Sequence, residues 1–401
     1  MPIFITAIGS VSALGDTSSA RLAYSNGTCA LRRTKVGAFD GPLGAVDSAS
    51  EARLSALVHE SRDVAQLDRC VHLALLAARD ALRTHADPCS PHARSSSIHP
   101  TAVFFGSSRG ATNLLETAHR DFLINRRVPT RTSPSTTLGN LASNLVRHAL
   151  GSPAPSAFDL SSACSSSLLA LQLAVAWLKA DMAQACLAGG SESALTPFTL
   201  AQLDALGLLN QRPSEIAPCR PLAFEPSNTL SLGEGACALL LETLEDTDPR
   251  RHHALAEIAG IGHALEHAPS PTGISLHGDA LLRSMRAACA HVDHPPDAIV
   301  VHAPGTARGD RAELAAIRAL FGDDPPALCS NKWQLGHTFG ASGALSIDFA
   351  LTLLNGVAPA VPAYASFLST PRGPVRSVLV NATGFGGLAI SVLLRAVGSV
   401  A

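Results

Sequence analysis

The sequence predicts an α/β protein built as two pseudo-symmetric halves, duplicated and stacked as five α/β/α/β/α layers. Three observations carry this expectation. Short apolar strands alternate with longer apolar helices along the chain, a pattern that implies mostly parallel sheets. Two turns of small residues, Ser162-Ala163-Cys164-Ser165-Ser166 and Gly336-His337-Thr338-Phe339-Gly340-Ala341-Ser342-Gly343, each place a reactive side chain just ahead of an apolar helix. At 401 residues the chain suits two intimately packed halves better than one small core. The charged break from Glu245 to His253 divides it into residues 1–250 and 251–401.

In order, Phe4 to Ile8 reads as a strand closed by Gly9, followed by a turn and a helix reaching Asn26. An amphipathic helix spans about Leu67 to His85, and residues 87–100, rich in Pro, Ser and His, read as a loop. Thr101–Phe105 and Ala157–Leu160 are strands, with a helix from Leu138 to Leu150 between them. The helix Ser166–Lys179 follows the first small-residue turn, then the strands Ala185–Ala188 and Ala236–Glu242. The second half repeats the plan, with the strand Ala298–Val301, helix Ala312–Phe321, strand Ala327–Ser330 and a helix to Leu354. The repeat predicts that both helix N-termini converge on one site.

Composition narrows the function. The chain is 46% hydrophobic and 15% charged, so Ala, Leu, Gly and Ser fill its core and a sizeable subunit interface is expected. A net charge of −2 speaks against nucleic acid or an anionic membrane surface as partner. Nine scattered cysteines without CxxC or Cys/His metal spacing imply free thiols in a reducing compartment and no metal site. No apolar run approaches the roughly 20 residues of a membrane span, and the N-terminus lacks a signal-peptide pattern. A cytoplasmic protein is expected.

Cys164 stands at a strand-to-helix elbow. Unpaired N–H groups and the helix dipole at such a terminus favour thiolate over thiol, as a cysteine nucleophile requires. On that ground the Cys164 pKa is expected below the free-thiol value of ~8.5, with Cys164 the first cysteine to be alkylated.

These residues give the chain its resemblance to the β-ketoacyl-acyl-carrier-protein synthases of the thiolase fold. The opening Ile5-Thr6-Ala7-Ile8-Gly9, the segments Phe105-Gly106-Ser107-Ser108 and Ala188-Gly189-Gly190-Ser191-Glu192, the Cys164 elbow, Asn331-Lys332 through Gly343, and Gly384-Phe385-Gly386-Gly387 all resemble family segments in family order. The resemblance implies decarboxylative condensation. Cys164 takes an acyl chain from a carrier protein, backbone N–H groups of Cys164 and Phe385 form the oxyanion hole, and His337 and Lys332 serve the decarboxylation of the malonyl extender. Thr306, Phe385 and Gly386 are the implied substrate-binding residues. No cofactor is implied beyond the phosphopantetheine that arrives on the acyl carrier protein.

The chain departs from the family pattern at several points. Where the family carries its other histidine, the segment reads His302-Ala303-Pro304-Gly305-Thr306-Ala307-Arg308-Gly309-Asp310, with Pro304 at the histidine position and two residues fewer. Losing one preorganised donor typically costs ~10²–10³ in rate. His302 lies two residues earlier, about 6–7 Å away by strand rise, and is not expected to reach the site. Arg308 replaces a threonine, Ser346 stands where a glutamate partner for Lys332 belongs, with Asp348 pointing elsewhere, and Pro221 to Asn228 is altered throughout.

Two readings follow. The favoured one is a chain-length-factor-like subunit of a type II polyketide or aryl-polyene system, partnered in a heterodimer by a complete Cys-His-His ketosynthase. The alternative is an active, divergent β-ketoacyl synthase working through Cys164 and His337, as a homodimer if no partner exists. Thiolase-type or hydrolytic use of Cys164 is a lesser third.

Overall fold

A computed structural model describes residues 1–86, 99–137, 140–151, 156–210, 216–267, 273–364 and 366–398, so most of the expected 87–100 loop lies outside the described residues. The first half contributes β1 (Ile3–Ser12), β2 (Ala102–Gly106), β3 (Ser156–Leu160), β4 (Ala185–Glu192) and β5 (Gly235–Thr243). The second contributes β6 (Ala256–Leu265), β7 (Ala298–Val300), β8 (Ala327–Cys329), β9 (Ser377–Thr383) and β10 (Leu388–Arg395). They form one mixed sheet in the order β8-β7-β9-β10-β6-β1-β5-β4-β2-β3.

The duplication is visible strand by strand. In the first half β1 pairs β5 and β5 pairs β4 antiparallel, then β4 pairs β2 and β2 pairs β3 parallel. In the second, β6 pairs β10 and β10 pairs β9 antiparallel, then β9 pairs β7 and β7 pairs β8 parallel. The halves join where β1 meets β6 antiparallel, Phe4 opposite Glu257 and Ile5 opposite Ala256.

Alternation along the strands sorts side chains into layers. Ala102 and Phe104 of β2, Leu239 and Leu241 of β5, Val378 and Val380 of β9 and Val392 and Leu394 of β10 face one common core. Two helices fill it, α3 (Ser166–Lys179) and α6 (Ser342–Leu354). Every residue of α6 from Ser342 to Leu353 is buried, which suits a helix that is apolar on all sides. The opposite faces pack outward: Val103 and Phe105 against α1 (Arg69–Ala86) and α2 (Leu141–Leu145), Ile299, Leu379 and Leu393 against α4 (Asp279–Ala288) and α5 (Ala307–Phe321). The layers are therefore helix, half-sheet, paired central helices, half-sheet, helix.

The chain expected to form one helix over 138–150 instead runs as α2 and then a π-helical turn, Val146–Leu150. Among the described residues no helix is long and apolar enough to cross a membrane.

Central helices can approach closely only where side chains are small. A Cβ on Gly190 of β4 would stand 2.7 Å from Ser167 Cβ and 2.9 Å from the carbonyl oxygens of Gly106 and Gly340. We expect Gly190→Ala to destabilise the fold by about 1–3 kcal/mol, as overpacking does. The reading is a lower denaturant midpoint at unchanged slope.

Candidate active site

The Cys164 elbow is held by its own hydroxyls. Ser162 N–H donates to Ser166 Oγ (2.8 Å), Ser166 Oγ donates to Ala163 O (2.6 Å) and Ser165 Oγ donates to Ser162 O (2.8 Å). Ala163 adopts the left-handed conformation at φ 45°, a strain of about 1–2 kcal/mol for a residue with a Cβ. That turn lifts Cys164 out of the line of β3 and sets it two residues ahead of α3, which begins at Ser166. Gly384 lies directly over the elbow, since a Cβ there would fall 2.7 Å from Cys164 N.

In the second half, His337 is fixed through its backbone. Its N–H donates to Ser231 O (2.8 Å), and its carbonyl accepts from Gly233 N–H (3.0 Å). Lys332 is 1% exposed and its Nζ donates to Val301 O (3.2 Å). A pocket of about 310 Å³ opens where the two halves meet. Its lining includes Cys164, His302, Pro304, Thr306, Arg308, His337, Thr383, Gly384 and Phe385, with an apolar wall of Leu203, Leu206, Leu208, Leu230 and Phe339. Such a cavity, apolar with a few convergent polar groups, suits an acyl chain attached to a reacting head. Of the expected site residues, Cys164, His337, Thr306 and Phe385 share this lining, and Lys332 lies buried behind it. Gly386 is not among the lining residues; it shapes the loop at φ 93°, just after Gly384 and Phe385, which do line the pocket.

His302 corrects one expectation. The expected register was two residues out: His302, eight residues before Asp310, itself stands at the family's histidine position, Pro304 does not, and the loop is not shortened. His302 then lines the pocket, its ring centroid 5.3 Å from that of His337 at an interplanar angle of 87°. Two buried carboxylates of α5 fix this turn. Glu313 accepts from His302 N–H (2.8 Å) and Ala303 N–H (2.6 Å), and Asp310 from Gly305 N–H (3.2 Å) and Thr306 N–H (3.1 Å). Pro304 is the one residue of this run without an N–H, so none is left stranded there.

Burial sets the charge states. It holds His337 neutral, with its pKa down at about 3, and lowers His302 well below the ordinary imidazole value. Lys332 adds to both shifts. The Lys332 ammonium is itself pulled down to about 8 by burial, against the opposing charge of Glu313. Asp348 does not serve Lys332; it accepts from Ser10 Oγ (2.9 Å).

Cys164 is the second correction. Burial pushes its thiol up to about 12, and Glu192 adds to the rise, while Lys332 and Arg109 oppose it. The expected depression of the pKa below the free-thiol value is therefore overturned: desolvation outweighs the helix terminus and the neighbouring cations. Sequence reasoning also left Glu192 and Glu313 without roles at the site. Glu192 accepts from Ser107 Oγ and from the N–H groups of Ser108, Arg109 and Gly340, at 2.7–3.2 Å, tying the first half to the second elbow.

Alkylation reports the thiolate, so we expect Cys164 to react slowly with iodoacetamide at neutral pH, behind the partly exposed Cys29 and Cys289. Its rate should climb about tenfold per pH unit until Lys332 discharges near pH 8, and less steeply above. Lys332→Met should lower the neutral-pH rate and keep the tenfold slope throughout.

Comparisons with known proteins agree on one family. The family model described as "Beta-ketoacyl synthase, N-terminal domain" matches residues 12–247, and "Beta-ketoacyl synthase, C-terminal domain" matches residues 255–364. The chain is 30% identical over 417 aligned positions to nodulation protein E of Rhizobium meliloti (strain 1021), covering 96% of each. Among solved structures, the ishigamide ketosynthase/chain length factor superposes with a TM-score of 0.84 at 22% identity, covering 99% of both chains. A β-ketoacyl synthase from Burkholderia phymatum STM815 gives a TM-score of 0.81 at 24% identity, covering 99% of this chain and 100% of that one. With both halves matched and the relative aligned nearly end to end, the chain belongs to the β-ketoacyl synthase family.

Proposed function

We propose that this chain is a condensing subunit that elongates acyl chains held on an acyl carrier protein, working in a dimer with a second ketosynthase-family subunit. The observation that carries this reading is the single pocket lined by Cys164, His337, His302 and Phe385, with Lys332 buried behind it. Cys164 would attack the thioester of an acyl carrier protein and keep the acyl chain against the leucine wall. The N–H groups of Cys164 and Phe385 would hold the oxyanion. A neutral His337 can donate a hydrogen bond to the enolate oxygen formed when the malonyl extender loses CO₂.

A chain-length-factor-like role is the second reading. The protonated thiol of Cys164 favours it, and one structural neighbour is itself a ketosynthase/chain length factor pair. In that role the pocket would shape the tunnel while the partner's cysteine does the chemistry. Reconstitution with partner and carrier protein separates the two, read as product mass. The condensing reading expects Cys164→Ala to abolish product with the dimer still assembled. Undiminished product from that variant overturns it in favour of the second.

Dimerisation has its own support. β3 is the edge of the sheet, with Ser156 and Ala157 exposed. Leu123, Ile124 and Val128 are also at least half exposed. An unpaired strand edge invites pairing with another chain. Light scattering should therefore find a dimer, burying well above ~2,000 Å²; a stable monomer, alone and with the partner, would count against it.

A further inference from the structure

His337 must keep one ring orientation to aim an N–H into the pocket, yet its Nδ1 is buried without a hydrogen-bond partner among the described residues. We propose that Glu192 is the positioning residue for His337, holding the turn that carries Phe339 against the imidazole. The inference rests on the condensing reading above.

Packing, rather than a hydrogen bond at Nδ1, orients the His337 ring. Phe339 stands against it with centroids 5.5 Å apart at an interplanar angle of 61°. Phe339 does so from a backbone at φ 42°, in the left-handed region that a residue with a Cβ rarely adopts. Such a conformation persists where the surrounding structure fixes it. On one side of it the backbone of His337 is pinned by Ser231 and Gly233. On the other, Gly340 N–H donates to Glu192 Oε2 (3.0 Å). A Cβ on Gly340 would fall 2.9 Å from that same oxygen, so the close approach requires glycine.

Glu192 also fixes what lies over the Phe339 ring. Arg109 N–H donates to Glu192 Oε1 (3.2 Å). The Arg109 guanidinium then stands 5.7 Å from the Phe339 centroid, with Nη1 donating to Gln202 Oε1 (2.7 Å). One carboxylate thus sets both segments that meet at this ring, Arg109 from the first half and Phe339-Gly340 from the second. The ring passes that placement on to His337.

The donor pattern calls for a carboxylate. Oε1 accepts from Ser107 Oγ (3.0 Å) and Arg109 N–H, Oε2 from Ser108 N–H (2.7 Å) and Gly340 N–H. Glu192 is fully buried, so a donor released from it finds no water. An amide of the same shape turns its NH₂ toward Arg109 N–H in one orientation and toward Ser108 and Gly340 N–H in the other. Either way one side of Phe339 is released. The charge of Glu192 acts at the same time on Cys164, whose thiol it makes harder to ionise. Removing that charge therefore eases ionisation of Cys164 while it loosens His337, and the two effects have opposite signs.

The test is Glu192→Gln in the assembled dimer with acyl- and malonyl-loaded carrier protein. Acyl loading of Cys164 is read by intact mass, decarboxylation by CO₂ release from a labelled malonyl carboxylate, and thiolate by the iodoacetamide rate at fixed pH. The variant should alkylate Cys164 severalfold faster and load acyl chains at least as fast as the unchanged protein. CO₂ release and condensation from the loaded variant should fall ~10²-fold, as when a reacting group is displaced by about 1 Å. A Glu192 that only stabilises the fold lowers loading and condensation together, or neither, and either result overturns the proposal while leaving the condensing reading in place. Should Glu192→Gln fail to fold, Phe339→Leu decides, because it keeps an apolar wall and removes the ring beside His337. Unchanged loading with the same fall in condensation supports the proposal there, and normal condensation overturns it. An unchanged protein that neither loads Cys164 nor releases CO₂ ends the condensing reading itself, and this inference with it.

Discussion

The site depends on how closely two small-residue elbows, one from each half, can be brought together. Ser167 Oγ of α3 accepts from the N–H of Ala344 in the first turn of α6 (3.0 Å), so one half caps the helix of the other. A Cβ on Gly343 would fall 2.5 Å from Leu168 Cγ, and one on Gly340 2.4 Å from Ser108 N. Glu192 then collects donors from both sides of this contact, including Gly340 N–H. Burial pushes its carboxyl up to about 7, although four hydrogen bonds favour the ionised form. A bulkier residue at any of these points would part the helices and separate Cys164 from His337.

Closeness brings dryness, and dryness sets the chemistry. His302, His337, Lys332 and Cys164 each sit where water cannot solvate a charge, so each is pushed toward its neutral form. For the imidazoles this is no obstacle, because a neutral ring still carries one N–H to donate to a developing enolate. For Cys164 it is a cost, since the nucleophile is the thiolate. Lys332 and Arg109 reduce that cost, while Glu192 adds to it. The carboxylate that organises the two elbows is thus also the group that makes the thiol harder to ionise.

The fold was legible because duplication writes the same signal twice. The strands at Thr101–Phe105 and Ala298–Val301, and the helices opening after Cys164 and His337, needed only apolar runs and small-residue turns to be placed. The pocket's membership was partly legible for the same reason, since an elbow ahead of a helix has few places to point. His302 was misjudged because its segment was read two residues out of register: counted back from Asp310, His302 itself takes the histidine position, and β7 ends at Val300, before strand spacing could apply. What decides the direction of His302 is a pair of carboxylates eight and eleven residues later, on α5. Nothing in the local pattern of Arg308 to Glu313 announces that Asp310 and Glu313 turn back to hold a loop. The Cys164 thiol was misjudged for a related reason: sequence reveals the helix terminus but not how completely the site is buried.

The turn between β7 and α5 shows how a loop can be held by carboxylates rather than by strand pairing. Four of its backbone N–H groups are drawn onto Asp310 and Glu313. Proline is tolerated at position 304 because its neighbours' donors already satisfy both carboxylates. That turn brings the side chain of residue 302 into the pocket beside His337. The two rings pack edge to face with centroids 5.3 Å apart, and both line the pocket. The arrangement is therefore a consequence of two carboxylates on α5, and the identity of residue 302 determines whether the pocket holds one imidazole or two.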